Sequence, residues 1–222
     1  MSNDDFCWNP EGAQAWADGV IDFLNGPSNS VRSCSNQFSE QVRDLIEGRL
    51  WVGSAARQNY KNFYNAQEAL KNFTDKFGRT FSEAMDSISV SIARMESNNL
   101  GSDTNAATAF GDLTYDEIEE IANLTVDDSI TKYSKNKIVG IADQLGNILN
   151  TLQGIQANLE DKVKELNRGD ETIWDGEAAE ETKQTLSRVL NEGMNEIHST
   201  FTTCINNVRA AAENAISGDR AA

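Results

Sequence analysis

The chain has 222 residues, with 19 Lys and Arg against 35 Asp and Glu, giving a formal charge of −16. A surface of that sign repels phosphate backbones and anionic bilayers, so nucleic-acid binding and stable membrane insertion are not expected. Pro occurs only twice, where about 5% usage is ordinary, and a chain that avoids Pro keeps long helices unbroken. The reading that follows is all-α.

Met1-Ser2-Asn3-Asp4-Asp5 is acidic and polar, whereas a Sec signal peptide would be basic and then apolar, so none is expected. An apolar segment follows through Trp16, Val20, Ile21, Phe23 and Leu24, and a short stripe runs through Val31, Cys34, Phe38, Val42, Leu45 and Ile46. Gly26-Pro27 separates the two, which predicts a kink or a fresh helix start with Pro27 in the first turn. Nothing in the sequence assigns Trp8 or Trp16 to packing or to docking.

A long stripe then runs through Ala55, Ala56, Phe63, Ala66, Leu70, Phe73, Phe77, Phe81, Met85, Ile88, Ile92 and Met95. Steps of three and four dominate, so these side chains share one face of a helix of about ten or more turns. Residues 99–125 differ: a polar cluster of Asn, Gly, Ser and Asp leads to Thr114-Tyr115-Asp116-Glu117, whose Thr cap and early acids predict a short helix in a linker. A second stripe spans Ile130, Tyr133, Ile141, Leu145, Ile148, Leu149, Leu152, Ile155, Leu159, Val163 and Leu166, and stops at Asn167-Arg168-Gly169. The third runs from Ala178 and Ala179 through Leu186, Leu190, Ile197, Phe201, Cys204 and Val208 to Ala215.

The breaks between long stripes repeat. Leu50-Trp51-Val52-Gly53-Ser54-Ala55-Ala56 and Ile173-Trp174-Asp175-Gly176-Glu177-Ala178-Ala179 are both apolar-Trp-x-Gly-x-Ala-Ala. Each Trp caps the end of a core, each Gly permits a positive φ, or a close backbone approach, where the chain reverses, and the paired Ala let two helices approach closely. A fused tandem repeat is the natural reading.

On these residues the sequence resembles the WXG family, also called ESAT-six-like proteins, of type VII secretion. Family members are hairpins of two helices with Trp-x-Gly in the turn, which pair into antiparallel four-helix bundles. The resemblance implies a first hairpin over 1–98, a linker with a short helix over 99–125, and a second hairpin over 126–222. The two would pack as an elongated antiparallel four-helix bundle, a single-chain equivalent of the family's dimer. A monomer with intramolecular pairing is expected, with a hairpin-swapped homodimer as the competing outcome. The resemblance also implies export without a Sec signal, from the cytoplasm to the outside, by a type VII ATPase or with another secretion-system protein as partner. Family export signals, commonly Tyr-x-x-x-Asp/Glu, follow the second helix. No Tyr stands near this C-terminus, Tyr64-x-x-x-Glu68 lies inside a long helix, and Tyr115-x-x-x-Glu119 in the linker is the candidate. The alternative there is a helix-start Tyr among solvated acids.

Catalytic constellations are missing from the sequence. His198 is the single histidine, Cys7, Cys34 and Cys204 are scattered, and no Gly-rich phosphate loop or Gly-x-Ser-x-Gly elbow occurs. Acid pairs such as Asp127-Asp128 and Glu180-Glu181 read as solvated helix faces. No enzyme, cofactor or metal site is expected. Two functions remain: a secretion-associated WXG-type substrate or adaptor, or a cytoplasmic helical module that holds a partner helix without being exported.

Overall fold

A computed structural model describes residues 10–99, 121, 124–127, 132–166, 173–174 and 176–219, with side chains at 10–11, 91–99, 133 and 215–219 left undescribed. The elements are α1 (Pro10–Asn25), α2 (Val31–Ile46), β1 (Trp51–Val52), α3 (Ser54–Asn99), β2 (Lys132–Tyr133), α4 (Lys135–Glu165) and α5 (Glu177–Asp219). Helix accounts for 86% of the described residues, so the chain is all-α as expected. At 1.5 Å per residue the 46 residues of α3 span about 69 Å.

Wherever their side chains are described, the stripes read from the sequence are buried or, at Ile21, Phe23, Leu149 and Ala211, partly buried against the core, apart from Ala55 and Ala178. Ala56, Phe63, Ala66, Leu70, Phe73, Phe77, Phe81, Met85 and Ile88 of α3 are buried, as are Ile141, Leu145, Leu152 and Leu159 of α4 and Leu186, Leu190, Ile197, Phe201 and Val208 of α5. They join α1 and α2 in one contiguous core. Of each Ala pair only the second member, Ala56 and Ala179, is buried. The first faces solvent, because consecutive helical residues point about 100° apart.

Pairwise register follows from a few contacts. The start of α3 (Ala55, Gln58, Asn62) lies beside the end of α5 (Asn207, Ala210, Asn214), while Thr80 and Ala84 lie beside Thr182 and Leu186. These two helices therefore run antiparallel. Lys76 reaches across to Glu192 at 3.0 Å, and this bond, aided by Arg188, holds the Glu192 carboxyl below its ordinary pKa. At Gly193 the helices touch so closely that an added Cβ would stand 2.5 Å from the Phe73 ring. Helices α4 and α5 are antiparallel too, with Arg209 bonded to Asp143 at 2.9 Å and Gln156 near Asn191 at 3.5 Å. Phe38 of α2 meets Phe63 of α3 at 6.4 Å and reaches Phe201 of α5 at 5.2 Å between ring centroids.

The break at Gly26-Pro27 is a fresh start, but Pro27 is not in the first turn of α2. Ser30 caps that helix instead, its Oγ accepting from the Ser33 amide at 3.0 Å while Ser33 Oγ accepts from the Ser30 amide at 3.1 Å. This is a capping box built from two serines. Pro27 instead precedes Asn29, whose φ of 51° turns the chain. Trp16, unassigned by the sequence, packs on Phe81 at 5.4 Å. Its indole N–H donates to the Lys162 carbonyl at 2.6 Å, satisfying one of the carbonyls that the end of α4 leaves open.

Candidate functional site

Both Trp-x-Gly turns adopt the same local geometry. Trp51 is 2% exposed and Trp174 4%, so each indole body caps the core. Gly53 has φ +111° and Gly176 φ +116°, a region that any Cβ makes costly. Each glycine carbonyl then accepts the first helical bond, from the Arg57 amide at 3.0 Å and from the Glu180 amide at 3.2 Å.

The turns differ in what surrounds them. The first is entered through a reversal at the end of α2, where the Arg49 amide donates to the Ile46 carbonyl and the Leu50 amide to the Leu45 carbonyl, both at 3.1 Å. Arg49 itself has φ 50°, the left-handed position that Gly usually takes in this motif. A returning stretch of chain then covers the turn. Trp51 pairs with Tyr133 and Val52 with Lys132 in an antiparallel ladder, and the Ser134 amide donates to the Leu50 carbonyl at 3.0 Å. The Gly53 amide donates to the Asp127 carbonyl at 2.8 Å, and the Asp127 carboxylate accepts from the Arg49 guanidinium at 2.5 Å. Gly53 is buried in consequence, whereas Gly176 is exposed. At the second turn the Trp174 amide donates to the Leu166 carbonyl at 2.9 Å, which closes the loop locally.

Asp127 corrects its sequence reading. It lies outside any helix and is half-buried, with its carbonyl and carboxylate both bonded to the first turn. The partner Arg49 is 78 positions away, so no local signal could have pointed to it. The short helix expected at 114–121 and the candidate signal Tyr115 and Glu119 lie outside the described residues, except for Ile121, which is buried and non-helical.

Titratable groups in the core are few. Burial pushes the Cys34 thiol up to about 11, with a bond from Ser33 partly opposing it, and pushes Cys204 up to about 12. His198 is exposed on α5. Among the described residues no group of three His, Cys, Asp or Glu is placed to hold a metal ion, and no helix is long and apolar enough to cross a membrane. Comparison with protein-family models, curated proteins and solved structures gives no match.

Proposed function

We propose that the chain is a tandem WXG-type protein of type VII secretion, either an exported substrate or an adaptor that escorts a partner, and that it is not an enzyme. The observation that carries this reading is the duplicated turn: a buried Trp, a Gly at φ +111° or +116°, and a Gly carbonyl that opens a long helix. In this reading α1, α2 and α3 form the first hairpin and α4 and α5 the second, packed as an elongated antiparallel four-helix bundle. The antiparallel registers of α3 with α5 and of α4 with α5, around one shared core, support that arrangement. Covalent fusion keeps the second hairpin at high effective concentration, in place of a separate dimer partner.

Trp51, Gly53, Trp174 and Gly176 would then shape the bundle ends. Tyr115 and Glu119 remain the candidate export signal, and the type VII ATPase the candidate partner. The non-catalytic reading rests on the missing nucleophile–base and metal constellations of the sequence. Export is tested by following the intact chain in culture medium from cells with and without the ATPase. ATPase-dependent appearance supports a substrate, and co-export or trapping of a second protein supports an adaptor. Retention in the cytoplasm with the ATPase active, and with no effect of the chain on any exported protein, leaves the non-exported interaction module. Light scattering on a sizing column reads the assembly: a monomer of 24.4 kDa fits internal pairing, and a doubled mass means exchanged hairpins.

A further inference from the structure

Ile121 is held in an unusual way. Its side chain is 1% exposed within the core, yet it belongs to no helix or strand. Its amide donates to Gln67 Oε1 at 2.7 Å and its carbonyl accepts from the Tyr60 hydroxyl at 2.5 Å. Gln67 is oriented in turn, since its Nε2 donates to Ser39 Oγ at 2.7 Å. Ser39 and Gln67 are 1% and 2% exposed. Burial raises the Tyr60 phenol above its ordinary pKa, and the Leu124 backbone partly opposes that.

Buried main-chain groups are usually satisfied by other main chain. Here two side chains of α3 bond both the N–H and the C=O of one buried residue, the C=O also accepting from the Leu124 amide at 3.1 Å and the Ile121 side chain joining the core. Proteins recognise extended peptides by this division of labour, with main-chain bonds for affinity and a pocket for specificity. Six positions on, Asp127 makes the second contact, through its carbonyl to the Gly53 amide and its carboxylate to Arg49. The partners named here for both anchor points lie between Ser39 and Gln67, all in the first half of the chain.

We propose that Ser39, Gln67 and Tyr60 form a peptide-binding socket for one aliphatic residue, with a second reading point for an acidic residue at Arg49 and Gly53. The occupant is the chain's own Ile121, with Asp127 at the second point, both docked in cis beside the first Trp-x-Gly turn. Once Ile121 is withdrawn, the socket takes the same residues in trans. This inference does not depend on whether the chain is exported, and its test uses purified protein alone.

The probe is a fluorescein-labelled peptide of residues 121–127, titrated by anisotropy against the full-length chain. Wild type, with its socket filled, should bind it at least about tenfold more weakly than the Ile121→Ser chain, because an occupied site must first open. Gln67→Leu added to Ile121→Ser should abolish the binding, as should Ser in place of Ile in the peptide. Equal affinity for both chains, or no saturable binding to an Ile121→Ser chain that keeps its helicity, overturns the proposal. Should Ile121→Ser fail to fold, Tyr60→Phe replaces it, read by hydrogen exchange. Loss of one hydroxyl should then speed exchange of the Ile121 and Gly53 amides about tenfold while α5 amides stay unchanged. Uniform acceleration across α5 would make Ile121 an inseparable part of the core and overturn the socket.

Discussion

The two Trp-x-Gly turns are near copies in the glycine φ and in the burial of their Trp, yet among the described residues a distant segment is seen bonded to the first. At the first, Asp127 and residues Lys132, Tyr133 and Ser134 return to bond or pair with Leu50, Trp51, Val52 and Gly53. At the second, the described bonding is local, from Trp174 back to Leu166, and the glycine faces solvent. Repeating a motif therefore repeats a backbone geometry without repeating its surroundings. Trp and Gly suit the bend for reasons internal to the bend, whereas the added bonds depend on where a distant segment happens to return.

The largest test of this contrast is truncation of each indole. Trp51→Ala and Trp174→Ala should each cost about 3–5 kcal/mol by denaturant unfolding, because both indoles are buried. A loss below about 1 kcal/mol at either turn would show an indole that does not cap the core. Next come the glycines. Gly176→Ala meets no atom within 4 Å, so its cost should be purely conformational, about 1–2 kcal/mol. Gly53→Ala carries the same strain at a buried position bonded to Asp127 and should exceed it; the reverse order would show that this contact yields freely.

A third comparison sets the halves against each other through their thiols. Cys34 and Cys204 stay protonated in the fold up to about 11 and about 12, while the unfolded chain ionises near pH 8.5–9. The unfolded state therefore releases protons first as pH rises. Stability from this source is intact below about pH 8.5 and is lost between there and pH 11–12. At about pH 10 each thiol should account for roughly 1 kcal/mol, seen as a flatter alkaline limb in Cys34→Ala and Cys204→Ala. Limbs unchanged by either substitution would show that both thiols reach water.

The smallest effects belong to the clasp at Arg49. Its ion pair with Asp127 is exposed, so Asp127→Asn should cost about 0.5 kcal/mol, fading near 1 M salt. Arg49→Gly should be more stable than Arg49→Ala by about 1 kcal/mol, because only the glycine removes the left-handed strain at φ 50°. No difference between those two would place the energetics in the side chain alone.

Much of the fold was legible along the chain because amphipathic helices announce themselves locally. Phe63, Phe73, Phe77 and Phe81 are spaced for one face and all four are buried. Gly53 and Gly176 were open to a positive φ or to a close backbone approach, and both take the positive φ. Pro27 was misplaced by one turn because Ser30 and Ser33 supply a better helix start than a proline does. At the candidate site, Trp51, Gly53, Trp174 and Gly176 were readable, while Asp127 was taken for a solvated acid and Ile121 for part of a linker helix. Neither position has a local pattern that names its partner.

The sequence by itself determined the helices, their inward faces and the two bends, since periodicity and backbone strain act over a few residues. Only the tertiary structure decided that Trp16 closes the end of α4, that Gly193 brings α5 against Phe73, and that Asp127 and residues Lys132, Tyr133 and Ser134 return to the first turn. Those choices join residues separated by 146, 120 and 78 positions in the cases of Trp16 with Lys162, Phe73 with Gly193 and Arg49 with Asp127. They arise from the packing of long helices around one core, which brings such pairs together with no trace in local order.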